Sequence, residues 1–345
     1  MNTTEYTPIS LVEAWKTIEY PEIPKLGAKS SNSATKTDHQ KAKVAGVQLS
    51  WAPDILTKIL NNVIKASQQG AQLVVLQELP LTPYFCQIQN PLYFHHLPTP
   101  TLAKEGGGGR LHEWLEELAV KADVSVAFSY YEKANTNLYN TLTVYMPRGN
   151  DCSLTSYRKT HIPDGPGYCE KFYFTPGDTG PVVCVLPCGL RVGLSVCWDQ
   201  WFPEHARCLA VMGAEVLVYP TAIGSEPTEG ICGQGSSKGQ WRRVMQGHSA
   251  GNMIPVVAVN RTGVERVKDG GAVSEITFYG SSFATDNTGD IISSLGEAEE
   301  GIVWVEVDRG KVEMERTAWG MWRDRRPECY GAIRTKDGST RTPGA

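Results

Sequence analysis

The sequence predicts an α/β fold, and three features of its patterning carry that prediction. Within Val44 to Gln77 a strand, a helix and a second strand follow one another. Further on, an apolar run from Leu190 to Val196 leads through a tight turn into a helix beginning near Pro203. Short apolar runs then continue to Val307, with another helical stretch between them. Strand–helix–strand order makes parallel βαβ units, because a parallel crossover needs a covering helix.

Bulk properties narrow the function classes. At 345 residues the chain holds one large domain or two small ones. A formal net charge of -4 gives no reason to expect nucleic acid or an anionic membrane as partner. No apolar stretch approaches the roughly 18 residues that a membrane helix needs. Residues 1–41 are polar and lack the apolar core of a secretory signal. Nine cysteines, scattered and odd in number, are expected to be reduced thiols, consistent with a cytoplasmic chain. Cys184 and Cys188 lack the spacing of a strong zinc site, and no His pair at ligand spacing supports one.

The elements follow in order. Residues 1–41 are expected to be a flexible extension, with a short docked helix within Ile9 to Tyr20 and a polar segment from Gly27 to Gln40. Val44 to Leu49 is the first strand. Leu56, Ile59, Leu60, Val63 and Ile64 recur at helical spacing, and Gly70 stands where a helix-terminating glycine belongs. Gln72 to Gln77 is the next strand, which puts Glu78 at its carboxyl end, where open α/β sheets hold their chemistry. Gly106 to Gly109 is a loop, Leu111 to Lys121 an amphipathic helix, and Val124 to Tyr130 and Thr141 to Tyr145 are strands punctuated by Asn140 and Pro147. A long irregular block from Tyr157 to Asp178 carries proline–glycine turns, aromatics and titratable side chains. Such a block inside a compact domain is usually functional. Ala214 to Tyr219 is a strand that leads into Pro220 to Pro227. Residues 228–239 are expected to be mobile, and Gln240 to Asn252 helical, with Arg242 and Arg243 solvated. Pro255 to Val259, Ser281 to Thr285, Ile291 to Ser293 and Ile302 to Val307 are strands. The aromatic run from Trp319 packs either on a neighbouring subunit or on its own domain, and the tail, 334–345, is expected to be disordered.

The turn after Leu190 to Val196 organises the rest. It lifts Cys197 out of a strand end, and Pro203 with Glu204 suits a helix start. Backbone N–H groups at such a turn favour a thiolate or an oxyanion. A cysteine nucleophile also needs a base and a cation to hold the charge on the attacked oxygen. Glu78 and Lys159, each at a strand end or loop, supply both without histidine.

Four short stretches carry a resemblance: Leu76-Gln-Glu78, Tyr157-Arg-Lys159-Thr-His, Cys169-Glu170-Lys-Phe-Tyr-Phe and Val196-Cys197-Trp-Asp. In this order over one domain they resemble the nitrilase superfamily of carbon–nitrogen hydrolases, from about Val44 to Tyr330. The resemblance implies a four-layer αββα sandwich over residues 42–333, whose subunits pair into a homo-oligomer built from dimers. It implies Cys197 as nucleophile, Glu78 as general base, and Lys159 with the backbone N–H of Trp198 as oxyanion holders. Glu170 would orient Lys159 or hold the substrate's amino group. It implies no metal and no organic cofactor.

Further stretches resemble a branch acting on N-carbamoylputrescine, among them Tyr84-Phe-Cys-Gln, His161-Ile-Pro-Asp-Gly-Pro-Gly and Tyr219-Pro-Thr-Ala-Ile-Gly-Ser-Glu226-Pro. Tyr84 and His161 thereby become candidate substrate contacts. The expected substrate is a small ureido compound or amide with a cationic tail, and the products are putrescine, ammonia and carbon dioxide. Members that act on N-carbamoyl amino acids carry arginines after the Cys-x-Asp. Here Gln200 and Trp201 stand there, so the carboxylate fork is missing. Asp199 and Glu226 are anionic candidates for the tail, and Trp201 adds a cation–π face. Asp199 equally suits hydrogen bonding within its own turn. The segment 230–238 is nearly free of acids where the family carries them. The alternatives are a β-ureidopropionase-like, ω-amide- or nitrile-hydrolysing member and, outside catalysis, an amide-binding module. A metal-dependent amidohydrolase lacks its ligand clusters.

Overall fold

The computed structural model describes residues 2–26, 40–97, 99–100, 109–225 and 236–339. Within them the chain forms β1 (Thr3–Tyr6), α1 (Pro8–Lys16), β2 (Lys41–Gln48), α2 (Ile55–Gln68), β3 (Leu73–Leu76), α3 (Leu92–His96), β4 (Thr99–Pro100), α4 (Gly109–Ala122), β5 (Ser125–Ala134), β6 (Asn137–Arg148) and β7 (Asp151–Arg158). There follow α5 (Glu170–Tyr173), β8 (Val182–Val185), β9 (Arg191–Leu194), α6 (Pro203–Val211), β10 (Val216–Thr221), α7 (Lys238–Asn252), β11 (Val256–Asn260), β12 (Thr262–Asp269), β13 (Ala272–Tyr279), β14 (Phe283–Thr285), β15 (Ile291–Ser294), β16 (Gly301–Asp308) and α8 (Arg309–Trp319).

Two sheets carry the fold, ordered β16-β2-β3-β5-β6-β7 and β15-β14-β11-β10-β9-β8. In each, three neighbouring strands run parallel, β2-β3-β5 and β9-β10-β11, with antiparallel strands outside them, and the two-residue β4 adds a parallel pairing to β5. Period-two alternation then builds the layers. Leu73 and Val75 of β3 enter the apolar layer between the sheets, while Val74 and Leu76 face Ile59, Val63 and Leu118 of α2 and α4. On the other side, Val216 and Val218 of β10 enter the same layer, while Leu217 and Tyr219 meet Leu209, Trp241 and Met245 of α6 and α7. The result is a four-layer αββα sandwich. Its sheets approach so closely at Gly46 that an added Cβ would lie 2.7 Å from Val259.

The first residues depart from the expected flexible extension. β1 pairs in parallel with β12, from Thr3 opposite Val264 to Tyr6 opposite Val267. Helix α1 starts with Thr7 as a side-chain cap and Pro8 in its first turn, and it buries Leu11 and Val12. Ile23 is buried too. These apolar positions sit in an otherwise polar stretch. The aromatic cluster around Tyr84, Phe85 and Phe278 gives Leu11 and Val12 a partner, and Ile23 joins the cluster that holds Trp114, Leu115 and Leu118. The rest of that segment, 27–39, lies outside the described residues, as do 101–108 and 226–235. Glu226 is among them, so the loop reading of Gly106–Gly108 and the mobility expected of 228–235 stand apart from the structure. Gly109 opens α4.

Further differences concern strands and the tail. The hairpin of β12 and β13 and the strand β7 escaped the periodicity because their outer faces are polar. Pro147 does not end β6, since it lies one pair from the hairpin turn, where the ladder closes. Arg242 is not solvated: it is half-buried, with its guanidinium 5.4 Å over the Phe283 ring. The tail folds on its own body, with Trp322 held by Arg207 and Arg316 at 5.1 and 4.4 Å, while Trp319 is exposed. Beyond 334 the described residues run to Ser339, whose carbonyl accepts from Thr335 Oγ1 at 2.7 Å.

Candidate active site

Strand ends converge on one point. Glu78 follows β3, Lys159 follows β7 and Cys197 follows β9. Glu78, Lys159 and Glu170 are wholly buried, and Cys197 nearly so. Lys159 Nζ donates to Glu78 Oε1 at 2.8 Å and to Glu170 Oε2 at 2.7 Å. Asn140 Nδ2 donates to the same Glu78 oxygen at 2.7 Å, and its carbonyl accepts the Lys159 amide at 2.9 Å. The other Glu78 oxygen, Oε2, is buried with no hydrogen-bond partner among the described residues. Arg261, fully buried, donates to the Glu78 and Leu79 carbonyls at 2.9 and 2.8 Å and pairs with Glu265. It thus pins the backbone where Leu79 turns left-handed, at φ 46°.

Two carboxylates share one ammonium, and the electrostatics follow. Burial, offset in part by Lys159 and reinforced by Glu78, pushes the Glu170 carboxyl up to about 7. Burial opposes the charge on Lys159, yet Glu170 and Glu78 outweigh it and hold the ammonium pKa well above its usual value. Burial pushes the Cys197 thiol well up. Glu78 and Glu170 push the same way and Lys159 opposes them. Burial and the two carboxylates therefore favour the thiol form of the resting cysteine.

Cys197 adopts φ 43°, a left-handed conformation that a side chain other than glycine rarely takes. It opens a short 3-10 turn, Cys197–Trp201, ahead of α6. Its Sγ lies 3.8 Å from the Ala222 carbonyl, just past β10. Tyr157, Asp199 and His161 surround this turn. Asp199 is fully buried and accepts from Val196 N at 2.9 Å, Tyr157 Oη at 2.7 Å, His161 N at 3.1 Å and His161 Nδ1 at 2.8 Å. Burial raises the Asp199 carboxyl pKa, but the His161 hydrogen bond, His205 and these donors together hold it below the usual carboxylate value. Ligand atoms of His161, Asp199 and His205 lie within 4.8 Å of one another, but the four donors already fill both Asp199 oxygens.

A cavity of about 350 Å³ opens over Cys197. Trp198, Trp201 and Tyr168 give it aromatic walls, Gln200 and Ser237 contribute polar groups, and Asp164 stands at its exposed rim. Among the described residues of its wall, Asp164 is the one carboxylate, and no lysine or arginine occurs.

Of the residues singled out from sequence, Glu78, Lys159, Glu170 and Cys197 come together, and Trp198 and Trp201 line the cavity. Asp199 takes the second of the two roles open to it in the sequence: its carboxylate is occupied by four donors around the cysteine turn and does not line the cavity. His161 bonds to Asp199 and stacks on Phe202 with centroids 3.7 Å apart, outside the cavity wall. Tyr84 is fully buried and donates to Glu170 Oε1 at 2.6 Å, so it supports the glutamate and does not line the cavity. Glu226 lies outside the described residues. Sequence reading missed Asn140, Arg261 and Asp164. For the first, an asparagine directly ahead of the strand run Thr141 to Tyr145 was a visible signal. The other two had none at short range.

A buried Glu–Lys–Cys cluster at the carboxyl ends of strands in an αββα sandwich defines a cysteine-dependent amidohydrolase. The chain belongs to the carbon–nitrogen hydrolase family, whose model matches residues 43–316. An N-carbamoylputrescine amidase of Solanum tuberosum is 43% identical over 304 residues, 86% of this chain and 96% of the relative. A citrullinase of Francisella tularensis is 42% identical, over 84% of this chain and 97% of the relative. The crystal structure of a carbon–nitrogen hydrolase from Helicobacter pylori G27 superposes with a TM-score of 0.75 at 34% identity, covering 86% of this chain and 99% of that one.

Proposed function

We propose that this enzyme hydrolyses N-carbamoylputrescine to putrescine, ammonia and carbon dioxide. The observation that carries the substrate choice is the cavity wall. Beside Cys197 it offers aromatic faces and the Asp164 carboxylate, with no cationic side chain among its described residues. An ammonium tail is favoured there by charge and by cation–π attraction, and a substrate carboxylate has no partner.

In this reading Glu78 Oε2 takes the Cys197 proton and the thiolate sulfur attacks the ureido carbon. Lys159 and the Trp198 N–H hold the oxyanion. Collapse of the intermediate expels ammonia, which carries off the proton held by Glu78, and leaves a carbamoyl thioester on Cys197. Glu78 then takes a proton from water, the hydroxide displaces the thiolate, and Cys197 regains its proton. The released carbamic acid loses carbon dioxide and frees putrescine. Glu170 holds Lys159 in place. Residues 42–333 form the catalytic domain, and 3–26 dock on it. A cytoplasmic location fits the eight described cysteines, all of which are free thiols. Assembly into homo-oligomers built from dimers fits the exposed Val211, Met212 and Met314 on and beside α6 and α8.

Citrulline is the second reading, and the citrullinase relative favours it. The two compounds place the ammonium at the same distance from the ureido group, and citrulline adds a carboxylate on that carbon. Ammonia release from N-carbamoylputrescine, citrulline and N-carbamoyl-β-alanine decides between them. The proposal expects kcat/KM for the first to exceed that for citrulline by at least about 10-fold, the effect of roughly 1.4 kcal/mol from an unpaired carboxylate. Turnover of citrulline alone overturns it.

A further inference from the structure

Asp199 has no direct line to the cavity, yet its four hydrogen bonds select an unusual set of donors. Tyr157 lies two residues before Lys159 and His161 two residues after it, and Val196 immediately precedes Cys197. One carboxylate therefore grips both flanks of the lysine and the near flank of the nucleophile. Each oxygen takes two donors: Oδ2 from Tyr157 Oη and Val196 N, and Oδ1 from the backbone and ring nitrogens of His161. Tyr157 Oη in turn receives the Thr160 amide at 3.1 Å, which closes the lysine loop on itself.

The cysteine turn needs such a hold. Cys197 sits at φ 43°, a left-handed conformation that persists in a side-chain-bearing residue only where the surroundings hold it. The two loops come from different sheets, since β7 and β9 share no ladder. Without a bridge, the distance between the Lys159 ammonium and the Cys197 sulfur would follow every slip of one sheet over the other. Ring packing strengthens the bridge: His161 stacks on Phe202 at an interplanar angle of 9°, and the His205 ring of α6 stands edge-on to it at 6.0 Å.

We propose that Asp199 is a positioning residue. It locks the lysine loop and the cysteine turn into one rigid unit, so that nucleophile and oxyanion holder keep their separation through the reaction. This rests on the roles given above to Cys197 and Lys159. It assigns Tyr157 and His161 to the same unit, and it removes Asp199 from substrate recognition.

Steady-state kinetics on Tyr157→Phe, Asp199→Asn, the double variant and Cys197→Ala test this, with N-carbamoylputrescine or, should it prove the better substrate, citrulline. Melting curves for each variant confirm that it is folded at the assay temperature. Misplacement of reacting groups by an ångström costs on the order of 100-fold, so kcat should fall about 10-fold in Tyr157→Phe and about 100-fold or more in Asp199→Asn. KM should stay within about twofold, because the substrate is not touched. The double variant should be no slower than Asp199→Asn, since Tyr157 acts only through that carboxylate. A raised KM with kcat preserved, or losses that multiply, overturns the proposal. If Asp199→Asn does not fold, an unchanged kcat in Tyr157→Phe overturns it. Activity surviving in Cys197→Ala instead sinks the role of the nucleophile. A dead Cys197→Ala beside fully active clamp variants sinks the clamp alone.

Discussion

Lys159 stands between two carboxylates with no water-exposed side, which makes it the most consequential single residue. In its proposed role as oxyanion donor, worth roughly 2.7–4 kcal/mol, Lys159→Ala should lower kcat by about 10²–10³, read as ammonia release. It should also lower folding stability by about 3–5 kcal/mol, because two buried carboxylates lose their shared cation. Glu170 ties protonation to both properties. Its carboxyl rises from 4.5 to about 7, so between these values the folded chain holds a proton that the unfolded chain has released. Stability from this group is therefore full below about 4.5 and is lost as pH rises through about 7. Activity should move the opposite way, since ionised Glu170 holds the lysine more firmly. Profiles of kcat/KM and of melting temperature from pH 5 to 9 check this. Glu170→Gln should flatten both over that window.

At the level of elements, the strand that delivers the cysteine depends on a glycine. A Cβ at Gly193 of β9 would lie 2.6 Å from Leu217 Cδ2 and 3.1 Å from Leu209 Cβ. Only a bare backbone lets α6 and β10 close over β9 at this point. Gly193→Ala should cost about 1–3 kcal/mol of stability, the usual penalty of overpacking, measured as a shift in the urea midpoint. The shift should come with a lower kcat, since β9 ends three residues before Cys197. An unchanged midpoint would mean that the helix retreats freely, and the tight packing assigned to this face would be wrong.

Across the whole molecule, the sandwich and the small third sheet share the site between them. β1 extends the β12–β13 hairpin, and Tyr6 Oη donates to the Tyr84 carbonyl at 3.2 Å, one residue's breadth from the Glu170 contact. The first residues therefore support the floor beneath the glutamate. Leu11→Ala should destabilise by about 2–5 kcal/mol, as a cavity in a buried cluster does. Differential scanning calorimetry checks this. A loss under about 0.5 kcal/mol would show that the N-terminal segment rides on the surface, as its composition suggested.

Much of this molecule was legible along the chain because its information is local. Alternating valines and leucines in β3, β10 and β11 specify strands buried on both faces, and helical spacing of Ile59, Leu60 and Val63 specifies a covering helix. Short stretches around Glu78, Lys159, Glu170 and Cys197 each carried their own context. What the chain could not disclose is whatever depends on direction. Asp199 lies two residues from Cys197, but only packing decides that its carboxylate faces Tyr157 and His161 and not the cavity. Tyr84 likewise turns to Glu170, and Asp164, unremarkable in sequence, arrives at the rim. Side chains closest in sequence to a catalytic group can point to either side of a turn. Their orientation is set by contacts from strands up to a hundred residues away or more, and that selection exists only once the two sheets have met.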